Sequence, residues 1–120
     1  SLGLVGSEMC IRDSHGGRQL DGAVSSIKAL PGIVDAAGKD IEVWMDGGIR
    51  SGQDVLKAWA LGAKGTMIGR SFLYGLGAMG GPGVTKCLEI IHRELDLTMA
   101  FTGHRDIQDV TKDILYPGTY

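Results

Sequence analysis

With 120 residues, 12 Lys and Arg against 14 Asp and Glu, a net charge of −2 and a pI near 5.8, the chain has an ordinary, slightly acidic balance. That balance excludes a basic stripe for a polyanion, so no nucleic-acid partner is expected. No apolar run reaches the ~18 residues that a membrane-spanning helix needs. The 20 glycines gather at expected strand ends and turns, and the two cysteines, Cys10 and Cys87, stand far apart without CxxC spacing. No metal site or disulfide frame is expected, and the setting is read as reducing and cytoplasmic.

Taken in chain order, residues 1–14 lack the apolar, β-branched character of a strand and read as a leader foreign to the domain. The domain is therefore assigned to residues 15–120. His15-Gly16-Gly17-Arg18 follows, two side chains with chemistry around a glycine pair. The segments 23–30 and 33–37 are expected as two short helices, because Pro31-Gly32 interrupts them. Ile41 to Met45 reads as a buried parallel strand closed by Asp46-Gly47-Gly48. Ser51 is the expected N-cap of a helix running through Asp54, Leu56 and Trp59 to a stop at Gly62. A second strand over 65–68 ends at Gly69-Arg70, which completes a βαβ unit.

Beyond it, Gly75-Leu76-Gly77-Ala78-Met79-Gly80 matches the G-x-G-x-x-G pattern, yet no strand leads straight into it. It is read as a loop. Val84, Leu88, Ile91, Leu95 and Met99 recur at helical spacing and predict the longest helix over 84–99, packed on the outside of the sheet. One further short helix is expected within 106–115. Trp44 and Trp59 are expected to pack strand against helix, and His92 and His104 to lie at the surface.

His15 and Asp46 stand 31 positions apart, and Asp46 and Gly69 stand 23 apart, each about the length of one βα repeat. The three motifs thus fall at the same phase of a repeating unit. In (β/α) barrels this is the end that carries the chemistry, with a phosphate site in the last loops. The fold expected is α/β, the C-terminal three βα units of a TIM (β/α)8 barrel. Because a whole barrel takes about 250 residues, the chain is read as truncated, with uncovered inward faces and two open edges.

Asp46, Gly47 and Gly48 offer successive backbone amides ahead of a helix, and Arg50 adds a planar donor fork. Gly69 gives a second close backbone approach and Arg70 a second guanidinium, so these six residues are the candidate phosphate clamp. Either glycine motif alone is more simply a tight turn; it is their recurrence at adjacent strand ends that favours an anion site. His15 is a candidate base near neutral pH and Arg18 a candidate carboxylate clamp, a pairing suited to an α-substituted acid.

The segments His15 to Asp21, Asp46 to Arg50 and Gly69-Arg70 together resemble the FMN-dependent α-hydroxy acid dehydrogenases and oxidases. The stretch 70–77, with Glu94-Leu95-Asp96 and Thr98-Met99-Ala100, is most similar to their bacterial L-lactate dehydrogenase branch. The resemblance implies FMN as cofactor and oxidation of an L-2-hydroxy acid, with L-lactate to pyruvate as the expected reaction. It assigns His15 as the catalytic base, Arg18 together with His15 to the substrate, and Asp46, Gly47, Gly48, Arg50, Gly69 and Arg70 to FMN. It further implies an electron acceptor that is quinone, cytochrome or oxygen, a homo-oligomeric parent, and a cytoplasmic location or one peripheral to the inner membrane.

Two departures qualify it. Ser14 stands where the family has asparagine, and the family's remaining catalytic groups belong to the first five βα units. These are the aspartate partner of the histidine, substrate-facing tyrosines, a second arginine and a lysine near the flavin. The chain alone is therefore expected to show no turnover. Two other readings stay open on the residues: a different phosphate-binding barrel enzyme, and a non-catalytic flavin- or phosphate-binding module.

Overall fold

The structure, a computed structural model, describes residues 21–120. The first helix, α1 (Ser26–Ala37), is continuous, with Pro31 inside it. The expectation of two pieces is corrected here. Proline's fixed φ is already helical and only its missing N–H and ring crowding oppose the helix. Leu30 is buried and Ile27 and Val34 pack partly buried against the same core, and that packing carries the register through.

Among the described residues the sheet has two parallel strands, β1 (Trp44–Asp46) and β2 (Gly65–Met67), paired Trp44 to Gly65, Met45 to Thr66 and Asp46 to Met67. Between them lies α2 (Gly52–Ala60), capped at Ser51 as its sequence predicts. A third strand, leading to His15, would lie outside the described residues. The described architecture is thus α/β with one βαβ unit.

Val43 and Met45 bury on one face of β1 together with Leu30 of α1 and Ala58 of α2. On the opposite face Trp44 is 55% exposed and Met67 40%. Apolar side chains on a sheet face that no described element covers are unusual for a parallel sheet, which is ordinarily buried on both sides. Trp44 does not pack strand against helix, as its sequence context suggested; its ring lies over Gly65, where any Cβ would strike it. Trp59 does face a helical core, with Leu56, Ala60, Leu95 and Met99, and Lys64 Nζ sits 5.3 Å from its ring centroid.

After β2 the chain forms α3 (Arg70–Met79) and α4 (Gly81–Phe101). The expected loop at Gly75–Gly80 is therefore helical up to Met79. Gly75 and Gly83 are both buried where the two helices cross, and a Cβ on either would strike the other's backbone. That close approach outweighs the weak helix propensity of glycine. Gly80, at φ +65, turns the chain between the helices, and Pro82 fits the first turn of α4. α4 packs on α2 and α3, one layer out from the sheet. Instead of one short helix, 106–115 holds two 3-10 turns, Ile107–Asp109 and Lys112–Ile114, capped by Asp106 and Thr111. Among the described residues no helix is long and apolar enough to cross a membrane. His92 is exposed and His104 half-buried, within 3.2 Å of Thr102 Oγ1.

Candidate functional site

The carboxyl ends of β1 and β2 open onto a cleft of about 580 Å³. Asp46, Gly47, Gly48, Arg50, Gly69 and Arg70 all line it. The two motifs meet because their strands are adjacent, parallel and in register, so both strand-to-helix turns emerge at one end. His15 and Arg18 lie outside the described residues.

The first turn is shaped by two successive glycines in the left-handed region, Gly47 at φ +94 and Gly48 at φ +83. Gly47 N donates to Asp46 Oδ1 at 2.8 Å, which fixes the carboxylate against the turn. Ile49, only 4% exposed, pins the loop to the core. A Cβ at Gly48 or at Gly69 would meet nothing within 4 Å, so both backbones face open space.

The two helix N-termini at the cleft differ in a way the sequence did not reveal. That of α2 is filled from within the protein. Asp54 Oδ2 accepts from Arg50 N and Ser51 N, both at 3.0 Å, and Ser51 Oγ accepts from Asp54 N at 3.3 Å. Gly52 N donates to Glu94 Oε2 of α4 at 3.0 Å. These amides are thus already occupied by protein oxygens. The start of α3, by contrast, has no side-chain cap on its N-cap residue Gly69. A helix start left in that state presents amide donors and the positive end of a dipole to an anion. Ser71 Oγ donates to Ile49 O at 3.3 Å and so ties the two turns together.

Sequence reasoning missed Ser71 and Glu94 as contributors to this corner. Glu94 acts across 42 positions, and no local pattern signals such a partner. It also missed Ala23, Val24 and Ser25, which form the opposite wall ahead of α1. Among the described residues no group of His, Cys, Asp or Glu is placed to hold a metal ion.

Residues 8–117 match the family model described as FMN-dependent dehydrogenase. The chain is 47% identical over 111 residues to an L-lactate dehydrogenase of Caulobacter sp. (strain K31), covering 92% of this chain and 29% of that protein. It is 48% identical over 110 residues to an L-lactate dehydrogenase of Azorhizobium caulinodans, with the same coverage of each. Among solved structures, an (S)-mandelate dehydrogenase superposes with a TM-score of 0.79 at 42% identity, over 85% of this chain and 28% of that one. A flavocytochrome b2 superposes with a TM-score of 0.79 at 40% identity, over 89% of this chain and 29% of that one. The chain thus spans about 29% of the length of the curated relatives it matches. FMN is a phosphate monoester, and the donor set at the cleft fits one. Bare glycine backbone at Gly48 and Gly69 and the uncapped start of α3 line the cleft together with Arg50 and Arg70, whose guanidinium groups suit a phosphate. On this sequence match and this fold, the chain belongs to the FMN-dependent dehydrogenase family.

Proposed function

We propose that the chain is the C-terminal part, three βα units, of a (β/α)8 barrel that oxidises L-2-hydroxy acids with FMN, L-lactate to pyruvate being the reaction. The observation that carries this reading is the gathering of Asp46–Arg50 and Gly69-Arg70 around one cleft at the ends of paired parallel strands. L-lactate is favoured as substrate because the curated relatives matching at 46–48% identity are L-lactate dehydrogenases. The exposed Trp44 and Met67 on the open sheet face support a barrel interior completed by further strands.

In this reading the start of α3 and Arg70 hold the FMN phosphate, with the Gly47-Gly48 turn approaching the neighbouring chain of the cofactor. When bound, FMN supplies the acceptor for the two electrons leaving the substrate α-carbon. His15 takes a proton from the hydroxy acid, and Arg18 grips its carboxylate through two parallel hydrogen bonds. Asp46, held by Gly47 N, keeps the turn in shape. Oxidation is completed by an electron acceptor that is quinone, cytochrome or oxygen. A flavocytochrome b2 and a mandelate dehydrogenase described as a monotopic membrane protein are structural neighbours, which supports a cytochrome or a membrane-side acceptor and a peripheral location. A homo-oligomeric parent completes the proposal.

The test is anaerobic mixing of the full-length flavoprotein that carries this sequence with L-lactate. The flavin absorbance should bleach, and His15→Gln should slow the bleaching by about 10²–10⁴-fold. A flavin left oxidised by L-lactate and other 2-hydroxy acids would favour a different phosphate-binding barrel enzyme.

A further inference from the structure

One carboxylate outside the cleft bears on its shape. Glu94 lies in the second half of α4, and its Oε2 accepts from Gly52 N, the first residue of α2, at 3.0 Å. The contact is close: a Cβ on Gly52 would strike the backbone of Glu94 and Leu95. Gly52 follows Arg50 by two residues and Gly48 by four, so whatever fixes Gly52 fixes the end of the first phosphate-facing turn.

The same helix also holds the second turn. Cys87 Sγ donates to Ser71 O at 3.2 Å, and Gly83 meets Gly75 at the crossing with α3. Gly83, Cys87 and Glu94 recur at four and seven residues and therefore share one face of α4. Cys87 and Glu94 are two turns apart on it. One rigid helix thus touches both halves of the clamp, and the separation of its two contact points sets the separation of the halves.

We propose that Glu94 is a positioning residue for the FMN phosphate: by capping α2 from α4, it holds the Asp46–Arg50 turn at the right distance from the start of α3. This rests on the phosphate reading above. The side chain acts through Gly52 N and touches no cofactor atom. A hydrogen bond to a charged acceptor is among the stronger ones, so its loss should be felt at the turn.

The experiment uses apoprotein of the full-length flavoprotein, titrated with FMN and with riboflavin, which lacks the phosphate. E94A should lower FMN affinity about tenfold and leave riboflavin affinity unchanged, closing the gap between the two ligands. E94Q, whose amide oxygen can still accept from Gly52 N, should stay within about twofold of wild type for both. Should E94A fail to fold, E94D carries the test. It keeps the charge but shortens the arm by one methylene, and should lower FMN affinity alone. A parallel loss of both ligands in the folded variant, or a preference for FMN that survives it, overturns the positioning role while leaving the phosphate site intact. A wild type that binds FMN and riboflavin equally removes the phosphate site itself, and this role with it.

Discussion

Gly48 and Gly52 stand four residues apart and are required for opposite reasons. Gly48 has φ +83 and open space around it, so an alanine there would be strained without touching anything. Gly48→Ala should destabilise the fold by about 1–2 kcal/mol, the cost of a left-handed residue with a Cβ. Gly52 instead abuts the α4 backbone, and Gly52→Ala must push two helices apart, for about 1–3 kcal/mol. Urea denaturation of both variants checks the pair, and only Gly52→Ala should also disturb the Glu94 contact. At this scale the sequence was informative about which residues meet. The six candidate clamp residues are all at the cleft because each sits at a strand end, and strand ends are legible from apolar runs closed by glycine. Which amides were already taken was not legible, since Glu94 reaches Gly52 from a helix 42 positions away.

The helix α2 illustrates how local chemistry fixes an element. Ser51 and Asp54 form a reciprocal capping box, and Asp54 Oδ2 also accepts from Arg50 N and Ser51 Oγ. Asp54→Ala should cost about 1–2 kcal/mol in unfolding free energy, and Asp54→Asn should recover part of it, because an amide oxygen still accepts. Ser51 was legible as the cap, and the βαβ unit followed from two apolar runs closed by glycine with a capped helix between them. Two elements were misread where packing overrode local preference. Pro31 sits within α1 because Ile27, Leu30 and Val34 hold both flanks to one core. Gly75 sits within α3 because its crossing with α4 leaves no room for a side chain there. In both cases the deciding partner lies on another element, which a reading of local propensity does not contain.

At the scale of the whole molecule, two paired strands carry helices on one face and apolar side chains on the other. Such a sheet supports the proposal of a larger barrel, and the chain spans about 29% of the length of its curated relatives. The isolated 120-residue chain should therefore give no flavin reduction with L-lactate above the buffer rate, and stopped-flow absorbance on FMN mixed with the chain checks this. In the proposed function, the ends of β1 and β2 form a single receptor for the phosphate of FMN. A crystal structure of the full-length holoprotein tests it most directly. The phosphate is expected within hydrogen-bonding distance of the α3 N-terminal amides and the Arg70 guanidinium, beside Gly48. A phosphate held elsewhere, with the Gly69 turn facing solvent, would contradict it.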